Sequence, residues 1–174
     1  MPKYAAYLLH EDSSETDRSD TDSPLIAIAA YRHLVARADL RHVKPCAVLE
    51  ADGREIASVL VDGRASAASI DVPAEEFPPQ TRASVAQRYT ALLQQPLPDS
   101  HTSPRDCWVH AKVQFAATDA ELLAAIRRAG WALSKNRLNS WRRSDAGGRI
   151  ASEMNWGELA ALLDAIRIGG LARR

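Results

Sequence analysis

The chain has 174 residues, 46% of them hydrophobic, with 22 Lys+Arg against 22 Asp+Glu, a composition that excludes a disordered chain. No apolar run approaches the ~18 residues of a transmembrane helix, and the first ten residues carry no secretory pattern. Two cysteines, Cys46 and Cys107, cannot build a disulfide framework, so a reducing, cytoplasmic location is expected.

Residues 3–9 (Lys-Tyr-Ala-Ala-Tyr-Leu-Leu) predict a short strand. Residues 11–23 hold no apolar side chain and cannot repay the entropy of ordering, so 1–22 reads as a strand plus a flexible acidic segment. Ser23-Pro24 is a helix start, with Ser at the N-cap and Pro in the first turn. Ile28, Tyr31 and Val35 share one face, and the helix is expected to end near Asp39. Next come Cys46–Ala51, Glu55–Val61 and 65–72, separated by Asp52-Gly53 and Asp62-Gly63. Asp-Gly between β-favouring runs predicts a type I′ hairpin, and two in succession predict a three-stranded antiparallel meander. A second helix follows from about Thr81 to Leu93, with Val85, Tyr89 and Leu92 inward.

The order α-β-β-β-α also occurs in double-stranded-RNA-binding domains. Their last helix opens on a basic cluster, whereas this one opens on Thr81-Arg82-Ala83-Ser84. Residues 24–95 hold eight basic and eight acidic residues, so no phosphate-gripping face is expected there. Pro96 to Pro104 is rich in Pro and Ser and reads as a linker. Trp108–Ala116 alternates and predicts a strand that completes an α+β domain over 23–116.

Residues 117–174 predict a three-helix module. Thr118-Asp-Ala-Glu121 and Asn155-Trp-Gly-Glu158 are capping boxes. Gly130 suits a C′ position, and Ser134 caps a helix over 135–143 with Leu138 and Trp141 inward. The last helix carries Leu159, Leu162, Leu163 and Ile166 at core spacing and stops at Gly169-Gly170. The fold class expected is therefore α+β: an antiparallel meander with flanking helices, then a helix-turn-helix-like module.

Charge is distributed unevenly. Residues 1–103 carry 10 Lys+Arg and 15 Asp+Glu, while residues 104–174 carry 12 and 7. Residues 126–149 hold seven basic residues (Arg127, Arg128, Lys135, Arg137, Arg142, Arg143 and Arg149) against Asp145 alone. On a wheel centred on Leu138 and Trp141, the opposite face shows Asn136, Asn139, Ser140 and Arg143, flanked by Lys135, Arg137 and Arg142. Asn and Arg match base edges in the major groove, and flanking cations meet phosphates. Lys135, Asn136, Arg137, Asn139, Arg142 and Arg143 are thus the candidate nucleic-acid contacts. The same residue types also suit a solvated helix face.

From Asp119 to Ile166 the chain resembles one repeat of the YehS family, small bacterial proteins of unsettled role. The pattern is an acidic-capped helix, Ala129-Gly130, Ser134, Leu138, Trp141, Arg142-Arg143, and a closing Leu162-Leu163-Asp164-Ala165-Ile166. The resemblance implies helix-turn-helix-like packing. That family carries two such repeats and this chain one.

Catalytic signals are absent: no phosphate loop and no His-Glu-x-x-His occurs. His42-x-x-x-Cys46 and Cys107-x-x-His110 supply the residue types of a tetrahedral zinc site. Strand alternation would put Cys107 and His110 on opposite faces, so no metal is expected. A Cys107 nucleophile with His110 or His101 lacks an activating third group. No cofactor is expected. The reading is a small nucleic-acid-binding, regulatory protein whose partner is duplex DNA. The α+β domain would serve dimerisation, as a homodimer, or partner contact. The alternative is a non-catalytic adaptor whose basic patch meets an acidic protein.

Overall fold

A computed structural model describes residues 3–63, 71–141 and 154–171. Within those residues it shows an α+β protein: a four-stranded antiparallel sheet and six α-helices. Contacts divide the chain into two units. One is Met1–Pro79 with Gly130–Ala132, the other Gln80–Ala129 with Leu133–Arg174. The division falls before the second helix, not near residue 117.

In the first unit, β1 (Tyr4–Leu9) and β2 (Glu15–Thr21) form a hairpin. Helix α1 (Pro24–Val35) follows, then the 3-10 turn Ala38–Leu40, β3 (Cys46–Ala51) and β4 (Arg54–Leu60). The sheet order is β2-β1-β3-β4, and α1 packs on the first three of these strands. Alternation sends Ala6, Leu8, Ala47 and Leu49, all fully buried, to one face. Ala5, Tyr7 and Val48 cluster on the other with Leu9 and Cys46. Ser23 caps α1 through the amide of Ile26, and Ile28, Tyr31 and Val35 are buried as expected. The helix ends four residues before Asp39.

The acidic segment is the first correction: residues 15–21 are an ordered strand. Its apolar content is nil, but its backbone completes a ladder with β1. Its small polar side chains satisfy backbone donors: Ser19 Oγ accepts from the Ala132 amide at 2.9 Å, and Thr21 Oγ1 from the Ser23 amide at 3.1 Å. Outward charges pair locally, Arg18 with Glu15 and Asp20, Arg37 with Asp17 and Asp39. A charged outermost strand of this kind resists pairing with other chains.

At the Asp52-Gly53 turn both residues have positive φ, 50° and 75°, as a type I′ hairpin demands. The third meander strand, expected over 65–72, falls on residues 65–70, which lie outside the described residues, and on Asp71 and Val72, which are not in a strand.

The second unit contains α2 (Arg82–Leu93), α3 (Pro104–Phe115), α4 (Asp119–Arg128), α5 (Lys135–Ser140) and α6 (Trp156–Ile168). Here lies the second correction: residues 108–116 are not a strand. Ser103 caps α3 through the Asp106 amide and Pro104 occupies its first turn, the same signal that starts α1. Cys107, Trp108, Ala111 and Phe115 form its buried stripe at helical spacing. Helices α2, α3 and α4 all pack on α6. Leu93 is buried on α2 where Leu92 was expected, and Leu92 is half-buried. The apolar stripe of α6 is buried throughout, and Arg128 donates Nε and Nη2 to the Gly169 carbonyl at its end, at 2.9 and 2.7 Å. Among the described residues, no helix is long and apolar enough to cross a membrane.

Candidate nucleic-acid interface

Thr118 and Glu121 form the first capping box, and α4 buries Leu122, Leu123 and Ile126. The chain turns through Gly130, φ +87°, and Ser134 caps α5 through the Arg137 amide. Leu138 and Trp141 are fully buried. The helix spans six residues, shorter than the expected 135–143. Arg142, Arg143 and Arg149 lie outside the described residues.

The named candidates do not share one environment. Lys135 and Asn136 are exposed. Asn139 and Ser140 are half-buried, with Ser140 Oγ donating to the Arg137 carbonyl at 2.7 Å. Arg137 has only 16% of its side chain exposed; its guanidinium donates to Glu158 Oε1 and lies 5.1 Å from the Trp141 ring centroid. Glu158 is itself buried. Its Oε2 accepts from the Asn155 amide at 2.9 Å, and the Glu158 amide donates to Asn155 Oδ1 at 2.9 Å. One carboxylate therefore closes the capping box of α6 and anchors α5. The capping box is visible in sequence; the second partner, 21 residues away, is not.

The electrostatics of this unit follow from where its arginines point. Arg82 donates to the carbonyls of Pro98 and Asp99, Arg105 to that of Trp141, and Arg128 to that of Gly169. A carbonyl partner leaves the charge of a guanidinium uncompensated, whereas a carboxylate partner offsets it. Lys112 does pair with Asp119 at 2.5 Å. By sequence, residues 1–79 carry eight Lys+Arg against 14 Asp+Glu, net −6. Residues 80–174 carry 14 against eight, net +6. The segment Gly130–Ala132 is uncharged, so the two units carry these same values.

The structure gives an environment to three of the reactive groups found by sequence, Cys107, Cys46 and His110. Cys107 is fully buried, and burial pushes its thiol above the ordinary range despite the nearby Arg82 cation. Burial also raises Cys46, with Glu55 adding to it. His110 is exposed and its Nδ1 shares a 2.5 Å hydrogen bond with Tyr89 Oη, not with Cys107. Burial carries that phenol up to about 12. Among the described residues no group of three or more His, Cys, Asp or Glu is placed to hold a metal. The strand argument against zinc at Cys107 and His110 falls with the strand, since both lie on α3. A raised pKa lowers the thiolate fraction near neutrality. Alkylation followed by mass spectrometry should therefore label Cys46 slowly and Cys107 only after unfolding. Rapid native labelling of Cys107 would contradict its burial.

No family model, curated protein or solved structure matches this chain.

Proposed function

We propose that this is a small nucleic-acid-binding, regulatory protein of the cytoplasm whose helical C-terminal module contacts duplex DNA. The observation that carries this reading is the net +6 of the second unit, with three of its arginines bound to backbone carbonyls rather than to carboxylates. Lys135 and Asn136 are exposed at the start of α5, in keeping with phosphate and base contacts. Trp131 is buried and Trp156 lies under Arg82, so neither offers an open aromatic anchor to a protein. On this reading α4 and α5 act as a helix-turn-helix-like pair, and 119–166 is one YehS-type repeat. Buried Leu138, Trp141, Leu162 and Leu163 support that proposal. Arg137 becomes a positioning residue, and the contacts are Lys135, Asn136, Asn139, Arg142 and Arg143.

Fluorescence anisotropy of labelled duplex DNA across a salt series tests the reading. Binding should weaken steeply with salt. The Arg142→Ala/Arg143→Ala double variant should lower the slope of log K against log salt by about 2, near 0.9 for each phosphate no longer neutralised. Absence of binding at about 50 mM salt would remove the reading for duplex DNA, since electrostatic binding is strongest there. The adaptor alternative draws on Val109 and Val113, one turn apart on α3 and 41% and 74% exposed. DNA binding unaffected by the double variant would move the interface off the 142–143 segment.

A further inference from the structure

The second unit contains a groove of about 390 Å³ between α2 and α6, within the size range of small-ligand sites. Leu92 and Leu163 supply apolar wall, and Gln87, Arg88, Asp164 and Arg167 supply the polar lining. The charges pair only at the long end of the ion-pair range. Arg88 Nε lies 3.6 Å from Asp164 Oδ2, and Arg167 Nη2 lies 3.7 Å from Asp164 Oδ1. Both distances exceed the ~2.7–2.9 Å of a charge-assisted hydrogen bond. The Arg88 side chain instead donates Nη1 to the Ser84 carbonyl, at 3.0 Å. Two guanidiniums thus share one carboxylate at ion-pair distance, which leaves a net positive charge at the groove. Asp164, 16% exposed, holds both arginines there.

We propose that this groove is a binding site for a small oxyanion with a short apolar body, a phosphate monoester or a carboxylate. The anionic head bridges Arg88 and Arg167, and the body lies on Ala91 and Leu92. A planar guanidinium fork presents paired N–H donors that suit either head group. The site is independent of the DNA contacts at 135–143, so either can fail while the other stands.

The test is a heteronuclear NMR titration of the full chain at pH 7.5 with inorganic phosphate, n-butyl phosphate, butyrate and n-butanol. Saturable shifts are expected at the amides of residues 87–92 and 163–167. Butyl phosphate should bind roughly tenfold tighter than inorganic phosphate through the buried part of its chain. Butanol should produce no saturation. Butyrate binding as tightly as butyl phosphate would assign the site to carboxylates; weaker butyrate binding would assign it to phosphate esters. Arg167 is exposed, so Arg167→Gln should leave the melting temperature unchanged while weakening binding about tenfold, the equivalent of ~1.4 kcal/mol. Lys135→Ala should leave binding intact. Shifts that fail to saturate, spread over the surface, or persist unchanged in Arg167→Gln would overturn the proposal.

Discussion

Gly130→Ala is expected to destabilise the protein by about 3–5 kcal/mol, a large share of the ~5–15 kcal/mol available to a folded domain. Two costs combine. Gly130 has φ +87°, a conformation that strains an L-residue by about 1–2 kcal/mol. A Cβ there would also stand 1.8 Å from the Asp20 carbonyl oxygen and 2.8 Å from its carbon. Those are backbone atoms of β2, so relief requires moving the strand away from the 130–132 segment. That shift would also break the hydrogen bond from the Ala132 amide to Ser19 Oγ. Urea denaturation checks the magnitude. At ~2–4 °C per kcal/mol, the melting temperature should fall by roughly 6–20 °C. Gly170→Ala is the control: its φ is +67°, but nothing lies within 4 Å of the new Cβ. It should cost the strain alone, about 1–2 kcal/mol. Equal losses in the two variants would show that the close approach to Asp20 does not exist in solution.

This glycine illustrates what the chain reveals locally and what it withholds. A C′ glycine after an apolar stripe is legible at Ala129-Gly130, because helix ends are set by neighbours in sequence. Its contact with a strand more than a hundred residues earlier is a tertiary fact. The capping boxes at Thr118 and Asn155 and the Asp52-Gly53 turn are legible for the same local reason. Trp108–Ala116 misleads because its alternation happens to coincide with a helical stripe. Phe115 and Trp108 are seven residues apart, two turns of helix, and also fall on opposite faces of a strand. Ser103-Pro104 decides between the two readings, and its meaning is already plain at Ser23-Pro24. Strand β2 is the opposite case. It contains no hydrophobic pattern to find, because its order comes from the β1 ladder and from Ser19 and Thr21 acting as acceptors for backbone amides. At the candidate interface, the exposed positions Lys135 and Asn136 follow from helical periodicity around Leu138 and Trp141. The fate of Arg137 does not, since a wheel of α5 contains no information about Glu158.

Arg137 separates a contact residue from a positioning residue by experiment. Glu158→Gln keeps a side chain able to complete the α6 capping box, because Gln also serves at that position. It removes the charge facing Arg137, whose side chain is 16% exposed beside a partner 8% exposed. Breaking one side of such a buried pair should cost about 3–5 kcal/mol. Arg137→Met should cost a similar amount, by stranding the Glu158 carboxylate. The double variant should lose clearly less than the sum, because removing both charges also removes the desolvation burden each places on the other. Additive losses would mean that the two side chains are not coupled. The DNA salt series supplies the second readout. A phosphate-contacting arginine, once removed, lowers the slope of log K against log salt by about 0.9. Arg137→Met, assayed at a temperature where it remains folded, should leave the slope unchanged, whereas Lys135→Ala should lower it. A reduced slope in Arg137→Met with undiminished stability would return Arg137 to the DNA-contacting face and release Glu158 from its second role.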